Sequence, residues 1–596
     1  MSCHSVTISP VENPNRLIIA LQLTHAGTED VLTAYADRYV FLQGTLSGLL
    51  GSEETECLSN VQARRLVATE ARSAREFSPR CLDGNCSVGL VCARTGEIRV
   101  FNDSQGFRRM FYHEGQDVFV VSTRLPLILR LLDRDWTLDP MGARVYLAAR
   151  EPRWPLSAVR DIKTLPPVHR LVERDGKVHL ASFWRPVRPA PRQDRGEVAR
   201  QLHRALRLAV RRGTTGKKTI VTQSGGFDST CLAKLATSLD CDIRGMSGGY
   251  DVQKYATDYD TYNETQHASR IAAELGIGFD RRLFALDDVR HIMAVLPHIL
   301  DQPGHDPTTF FLFCRAAREN GCQAVITGMG GDACFTPKTP LARPVLFLPG
   351  LRLISGIPLG QTALGVLTKA VRGRGPFAVC QAYLQGQRPQ SVSELLDRCR
   401  LLSTSHVSKE LLGETIIDDL NEVSALRATV LSSLIENAGC AHEWHYYWAV
   451  WTNPDEYHAD FAITQSGMQT VMPFLEPIHT SILLSHATQG SLDTRDFEME
   501  VVGGIPQGSL LPSKSGFSLP YERWARELLL DDLEEILADD SWLRLGLNMA
   551  RVSHYANILR SPDQRETGPL DRRTAALLWR ATMLKNYARA NSLRIR

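Results

Sequence analysis

The segment Val221-Thr-Gln-Ser-Gly-Gly-Phe-Asp-Ser-Thr230 constrains this chain more than any other. A β-branched run, Lys218-Thr-Ile-Val-Thr222, leads into Ser224-Gly225-Gly226, then Asp228-Ser229, then a helical stretch over 229–238. Strand, glycine turn and helix in succession bring backbone N–H groups up to an anion. The glycines permit a tight turn and a close approach, and the helix N-terminus adds its dipole and its unpaired donors. Ser224 and Ser229 supply hydroxyls. Asp228 would repel phosphate unless a Mg²⁺ ion sat between them. The competing reading is a Ser/Gly turn with Asp228 as N-cap, and a complete S-G-G-x-D-S at a strand–helix junction speaks against it. The loop is not a Walker A motif, since G-x-x-x-x-G-K-[ST] is absent.

A second strand ends the same way, in Ala324-Val-Ile-Thr-Gly-Met-Gly-Gly-Asp-Ala-Cys334. Strands and helices alternate from Lys217 onward: a strand over 242–246, a helix over 262–275 closed by Gly276, and a strand over 324–327. That alternation predicts a doubly wound parallel sheet, with helical additions over 380–596 that include helices at 522–537 and 569–589. Residues 340–378 mix Pro, Gly and apolar residues without a period. In such a sheet ligands bind at the carboxyl ends of the strands, so Thr327, Gly328 and Asp332 are expected in the same crevice as Ser224–Ser229. Before residue 186 the chain is rich in short β-like runs such as Arg16–Leu23, Ser87–Cys92 and Asp117–Ser122. The expected organisation is therefore a β-rich domain over 1–186, a Pro- and charge-rich linker over 187–198, and an α/β domain over 199–596.

Composition narrows the function classes. In 596 residues, 68 Lys+Arg against 66 Asp+Glu leave a charge of +2, with 43% hydrophobic and 22% charged residues. This is ordinary globular composition, and it gives no bulk charge for nucleic-acid binding. The thirteen cysteines form no C-x-x-C pair and no zinc spacing. No signal peptide opens the chain and no run approaches ~18 uninterrupted apolar residues. The expectation is a cytoplasmic protein with reduced thiols and no membrane span.

The two loops resemble those of the ATP pyrophosphatases, which cut ATP between the α- and β-phosphates to adenylate a substrate. Further segments are similar, in order, to those of the asparagine synthetases in that superfamily. These are Asp258-Tyr-Asp-Thr-Tyr-Asn-Glu264, Asp301-Gln-Pro-Gly-His-Asp-Pro307, Ser466-Gly-Met-Gln-Thr-Val-Met-Pro-Phe-Leu-Glu476 and Leu511-Pro-Ser-Lys-Ser-Gly-Phe517. Around Leu82–Gly89, Asp103–Phe107 and Ile162–His169 the first region resembles that family's class II glutamine amidotransferase (Ntn-type) domain. In that class a Cys directly after the initiator Met is the nucleophile. Here Ser2 intervenes before Cys3, so the resemblance implies a glutaminase fold without ammonia release.

Two departures narrow the expectation further. Met329 stands where asparagine synthetases carry Glu and β-lactam synthetases Tyr, and Gln469 stands where both carry Glu. Neither Met nor Gln acts as a general base. What remains resembles a lasso-peptide cyclase. Such an enzyme uses ATP and Mg²⁺ to adenylate an Asp or Glu side chain of a precursor peptide, and the peptide's N-terminal amine then closes a macrolactam. Its expected partners are a leader peptidase and a leader-binding protein, in antibiotic biosynthesis, with no nucleic acid. The alternative is an asparagine synthetase-like amide ligase for a small carboxylic acid.

The resemblance implies the following roles. Ser224, Gly225, Gly226 and Ser229 cradle phosphates, and Asp228 and Asp332 bind the metal. Met246 contacts adenine through its backbone, Thr327 and Gly328 touch AMP, and Lys514 stabilises charge on phosphate and oxyanion. His305, His458 and Glu476 are base candidates by neighbourhood only. The aromatic run Trp444–Trp448 with Trp451 reads as helix core rather than peptide groove, and Arg580–Arg596 as a solvated helix and tail.

Overall fold

The computed structural model describes residues 3–8, 16–22, 33–35, 38–44, 48–49, 60–73, 82–92, 97–116, 118–174, 177–185, 187–251, 264–304, 307–335, 409–413, 415–437, 441–453, 455–486, 495–504, 519–561, 570 and 572–595. Lys514, His305 and the segment 340–378 lie outside them.

The first region is built from β1 (Cys3–Ile8), β2 (Arg16–Gln22), β3 (Thr33–Tyr35), β4 (Arg38–Gly44), β5 (Gly48–Leu49), β6 (Leu82–Asp83) and β7 (Cys86–Cys92). It continues through β8 (Ile98–Phe101), β9 (Phe111–Glu114), β10 (Val118–Ser122), β11 (Ile162–Thr164), β12 (His169–Arg174) and β13 (Lys177–Ser182). Two sheets form, in the orders β1-β2-β10-β9-β11 and β13-β12-β8-β7-β4-β3, with β5-β6 as a small ribbon. Alternation sends Phe41, Val91, Val100, Tyr112, Phe119, Val121 and Leu171 into one apolar layer. Phe111 and Val120, on the opposite face of the first sheet, join a core shared with the rest of the chain. Val40, Val88 and Phe101 of the second sheet join another shared core.

The second region holds a five-stranded sheet, β14 (Thr219–Thr222), β15 (Ile243–Tyr250), β16 (Gly278–Phe284), β17 (Ala324–Ile326) and β18 (Gln469–Val471), in the order β16-β15-β14-β17-β18. Every pair is parallel, as the alternation of strands and helices predicts. Helices cover both faces, and alternate strand residues serve two cores. Ile220, Met246 and Val325 pack toward helices Leu286–Ile299, Pro307–Glu319 and Asp455–Gln465. Val221, Ala324 and Ile326 pack toward helices Arg195–Thr214 and Phe227–Thr237. The chain runs outward from β14 through β15 to β16, then returns to β17 on the other side of β14. That reversal opens a crevice beyond the carboxyl ends of β14 and β17.

Several local expectations change. A helix begins at Arg195, inside the segment read as linker, because the Asp194 carboxylate caps it by accepting from Gly196 N at 2.9 Å. The linker itself is tied down: Val187 N donates to Glu443 at 2.6 Å and Ala190 N to Ser485 O at 2.8 Å. The helix expected over 522–537 breaks at Leu529 into Tyr521–Leu528 and Leu530–Leu537. The C-terminal helix Arg572–Ala590 is not solvated but buried over most of its length. Arg580, wholly buried, donates to Ala148 O at 3.1 Å and Ala576 O at 3.2 Å, and Trp579 and Tyr587 pack in the same core. The aromatic helix Ala441–Thr452 is core as expected for Tyr446, Tyr447 and Trp451; Trp451 Nε1 donates to Ser104 O at 3.0 Å. The side chains of Trp444, His445 and Trp448 lie outside those described. Among the described residues no helix is long and apolar enough to cross a membrane.

Buried charges join the two regions. Glu151 is held between Arg109 (2.7 Å) and Arg153 (2.9 Å), with the Arg109 guanidinium 3.7 Å above the Tyr457 ring. Burial alone would raise the Glu151 carboxyl, but the two guanidiniums outweigh it and hold it down at about 2, against an ordinary 4.5. A depressed carboxylate stabilises the fold above its unfolded value and loses that stabilisation as pH falls toward the folded value. Glu151→Gln is therefore expected to lower stability at pH 7 by about 3 kcal/mol. It should also flatten the loss of stability between pH 4.5 and 2, read by urea unfolding across that range.

Candidate active site

The loop after β14 takes the conformation its glycines allow. Gly225 sits at φ +72°, in the left-handed region, and Gly226 caps the helix Phe227–Thr237. Ser224 Oγ accepts from Gly226 N at 3.3 Å and lies 3.4 Å from Ser229 Oγ. Ser229 and Thr230 hydroxyls donate to Gly226 O at 3.1 and 2.8 Å. These bonds fold the loop around the first helical turn, at the positive end of the helix dipole.

The loop after β17 is pressed onto the first one, and its glycines are the reason it can be. A Cβ on Gly328 would lie 3.0 Å from Asp228 Cβ and from Ser229 N. On Gly331 it would lie 2.6 Å from Asp228 Oδ1, and on Gly330, at φ +86°, 2.3 Å from Leu475. The Asp228 carboxylate thus rests directly on the Gly331 backbone, next in sequence to Asp332. Gly331→Ala is expected to push the carboxylate aside while the sheet stays intact. A displacement of about 1 Å costs on the order of a hundredfold in rate. Steady-state rates and a thermal melt of the variant check this together.

The two loops open on one cavity of about 630 Å³. Ser224, Gly226, Asp228, Ser229, Met246, Thr327, Gly328 and Asp332, all expected from the sequence, line it, with Gly225 between two of them. So do Met329 and Glu264, the last residue of the acidic segment that begins at Asp258. Gln469 sits on β18 opposite Ala324. Two of the base candidates, His458 and Glu476, fall elsewhere. His458 is buried with Nε2 3.9 Å from Glu151, and Glu476 lies near Asp83 and Arg212, where desolvation and then Asp83 push its carboxyl up to about 7.

Sequence reasoning missed four features of the wall. Gln223, the residue before the phosphate loop, lines it. Asp455 and Glu456 reach it from the start of helix Asp455–Gln465, where an acidic pair reads as ordinary N-terminal charge. Phe310, Phe313 and Tyr521 form an apolar side. Arg150 arrives from the first region: it ends helix Pro140–Ala149 at φ 74°, and its Nη1 stands 3.5 Å from Asp455. Nothing adjacent in sequence marks Arg150 as a site residue, since only the docking of the first region brings it there.

The chemistry of this donor set suits a magnesium nucleotide. Among the described residues no group of three or more His, Cys, Asp or Glu could hold a metal ion. Mg²⁺ is commonly bound through one or two carboxylates with the remaining positions on phosphates and water, which Asp228 and Asp332 beside the phosphate loop would satisfy.

Residues 201–476 match the asparagine synthase family. The match begins within the helix Arg195–Thr214 and ends after β18, so this asparagine synthase-like region contains the whole parallel sheet and both glycine loops. The family supports an ATP-using enzyme of amide-forming or adenylating type. No curated protein matches the chain. Among solved structures, the U34-tRNA thiolase NcsA from Methanococcus maripaludis, with its 4Fe-4S cluster, is similar at 13% identity. The similarity spans 43% of this chain and 76% of that one, with a TM-score of 0.17.

Proposed function

We propose that the chain closes a macrolactam in a ribosomal peptide. It would transfer AMP from ATP to an Asp or Glu side-chain carboxylate of a precursor peptide, then join that carboxyl to the peptide's N-terminal amine, releasing AMP and pyrophosphate. The observation that carries the adenylating part is the convergence of two glycine loops that set Asp228 and Asp332 in one cavity with the helix N-terminus. In this reading Ser224, Gly226 and Ser229 hold phosphate oxygens, Asp228 and Asp332 hold Mg²⁺, and Lys514 supplies a cation. The metal, when bound, neutralises charge on the leaving pyrophosphate.

The peptide part is supported by what the cavity offers the second substrate. Met329 provides no base at the position used by the small-acid ligases. Glu264, Asp455 and Glu456 instead make an acidic wall suited to an ammonium group. Glu456, 6% exposed, is placed to take the proton the amine must lose before it attacks. Phe310, Phe313 and Tyr521 would hold the folded peptide and keep water from the activated carboxyl.

The first region fits a class II glutaminase-like fold turned to support: two face-to-face sheets whose outer faces pack on the asparagine synthase-like region, with Arg150 delivered to the cavity. Partners in this reading are the precursor peptide, a leader peptidase and a leader-binding protein, in the cytoplasm. The second reading, an amide ligase for a small acid, has the family match in its favour. Incubating the purified chain with ATP, Mg²⁺ and leader-processed precursor separates them. A product lighter by one water supports cyclisation, whereas asparagine formed from aspartate with ammonia supports the alternative and sinks the first.

A further inference from the structure

We infer that Arg150, a residue of the first region, holds the carboxylate of the second substrate and so makes that region part of the acid-binding site. This role rests on the reading that the cavity binds ATP and activates a carboxylate. Among the described residues that line the cavity, Arg150 is the only Arg or Lys, against the carboxylates of Asp228, Glu264, Asp332, Asp455 and Glu456. Asp228 and Asp332 serve the metal in that reading, which leaves three carboxylates and Arg150 for the second substrate. An acid brought to such a wall is repelled unless a cation receives it. A guanidinium does so with two parallel N–H donors, in a fork that matches a carboxylate.

The backbone is shaped to deliver this side chain. Arg150 stands at φ 74°, in the left-handed region that glycine occupies without strain at the end of a helix. The chain is fixed on either side. Arg150 N donates to Tyr146 O at 2.9 Å, and Glu151, next in sequence, is clamped between Arg109 and Arg153. Residues 145–149 and 151–154 are buried, and Arg150 between them is half-buried at the cavity wall. A strained residue persists only where its surroundings over-determine it, and such residues cluster at functional sites. Its Nη1 stands 3.5 Å from Asp455 Oδ1, with the two side chains 24% and 37% exposed. A pair this long and this open is weak, so Arg150 can exchange Asp455 for an incoming carboxylate. Asp455 begins the helix that packs on β18, two strands along from β14 and its phosphate loop. On that side the guanidinium meets the acid rather than the phosphates.

The test measures binding to the full chain with Mg²⁺ and α,β-methylene-ATP, which cannot be split between its α- and β-phosphates. The ligands compared are the leader-processed precursor peptide, the same peptide with its acceptor carboxyl converted to the amide, and free aspartate. The wild type is expected to bind the acid peptide at least about tenfold more tightly than the amide, the worth of one charge-assisted bidentate contact. Arg150→Gly should lose that preference while nucleotide affinity and the thermal midpoint hold, because glycine takes φ 74° freely. An arginine that served only the fold would lower the midpoint instead. Arg150→Lys, a point charge without the fork, should keep part of the preference. An acid preference absent from the wild type, or retained in Arg150→Gly, overturns the inference. An Arg150-dependent affinity for free aspartate but not for the peptide keeps the carboxylate role and sinks the macrolactam reading. Binding of the nucleotide but of neither acid overturns the inference while leaving ATP binding intact. Absence of nucleotide binding to the wild type overturns the reading of the cavity and the inference with it.

Discussion

Asp228→Ala and Asp332→Ala each lower the ATP-dependent rate by at least about a thousandfold, close to 4 kcal/mol of barrier, in a chain that still folds. Both carboxylates line the cavity, and Asp332 is exposed there, so its truncation removes charge without opening a hole in the core. Cleaving ATP concentrates negative charge on the leaving phosphates. In the proposed reading the two carboxylates share one divalent ion, and that compensation is lost when either is removed. The isosteric Asp228→Asn and Asp332→Asn variants separate charge from shape. They keep the packing of Asp228 on Gly331 and should still lose most of the rate. Retention of activity within tenfold in both Asn variants would mean that the carboxylates serve only the fold of the loops. Initial rates of AMP release, with circular dichroism as the folding control, decide it.

Arg124→Met lowers stability by about 3–5 kcal/mol without touching the cavity. Arg124 belongs to the first region, and its Nε lies 2.6 Å from Asp301 Oδ1 in the asparagine synthase-like region. The pair is buried on both sides, with side chains 8% and 3% exposed. Arg124 also donates to Gln465 at 3.0 Å and to Ile299 O, while Asp301 accepts from Leu125 N at 3.2 Å and Tyr457 OH at 3.3 Å. Removing the guanidinium strands a buried carboxyl. Burial already raises Asp301 against the pull of Arg124, so the variant raises it further. An acid whose folded value is raised stabilises the fold when protonated and loses that contribution as pH rises. The deficit of Arg124→Met is therefore smaller at pH 5 than at pH 8. Arg124→Met with Asp301→Leu removes the whole pair and should recover most of the loss, since an apolar replacement of a buried ion pair is near neutral. Urea unfolding of the three variants at both pH values measures all of this.

These two results bear on different parts of what the sequence made legible. The phosphate loop, the second loop and the parallel sheet announce themselves locally: a β-branched run, glycines where the backbone must turn or pack closely, and an aspartate at each strand end. Their meeting in one cavity follows from strand order alone, because β14 and β17 are neighbours at the reversal. The segment that begins at Asp301 was also recognisable, and Asp301 itself binds Arg124 rather than lining the cavity.

What was not legible depends on contacts between distant parts. Arg150 enters the site only because both faces of the first region share cores with the second. Gln223 borders the cavity only because the strand ends there, with its amide buried over Gly245 on the neighbouring strand. The arginines of the last helix suggested solvent, whereas Arg580 spends its guanidinium on the carbonyls of Ala148 and Ala576 and lets the helix sink into the core. The 187–198 segment looked like free linker because prolines and charges mark loops, and the Asp194 cap that starts the helix early is a local detail that such composition hides.

The central claim is that this cavity activates a carboxylate by splitting ATP between its α- and β-phosphates. Following the adenosine and phosphate products by ion-exchange chromatography during turnover of the leader-processed peptide tests it most directly. AMP and pyrophosphate, each equimolar with cyclised peptide, are the expected products, and both should vanish with Asp228→Ala. ADP and inorganic phosphate accompanying the cyclised product would contradict it.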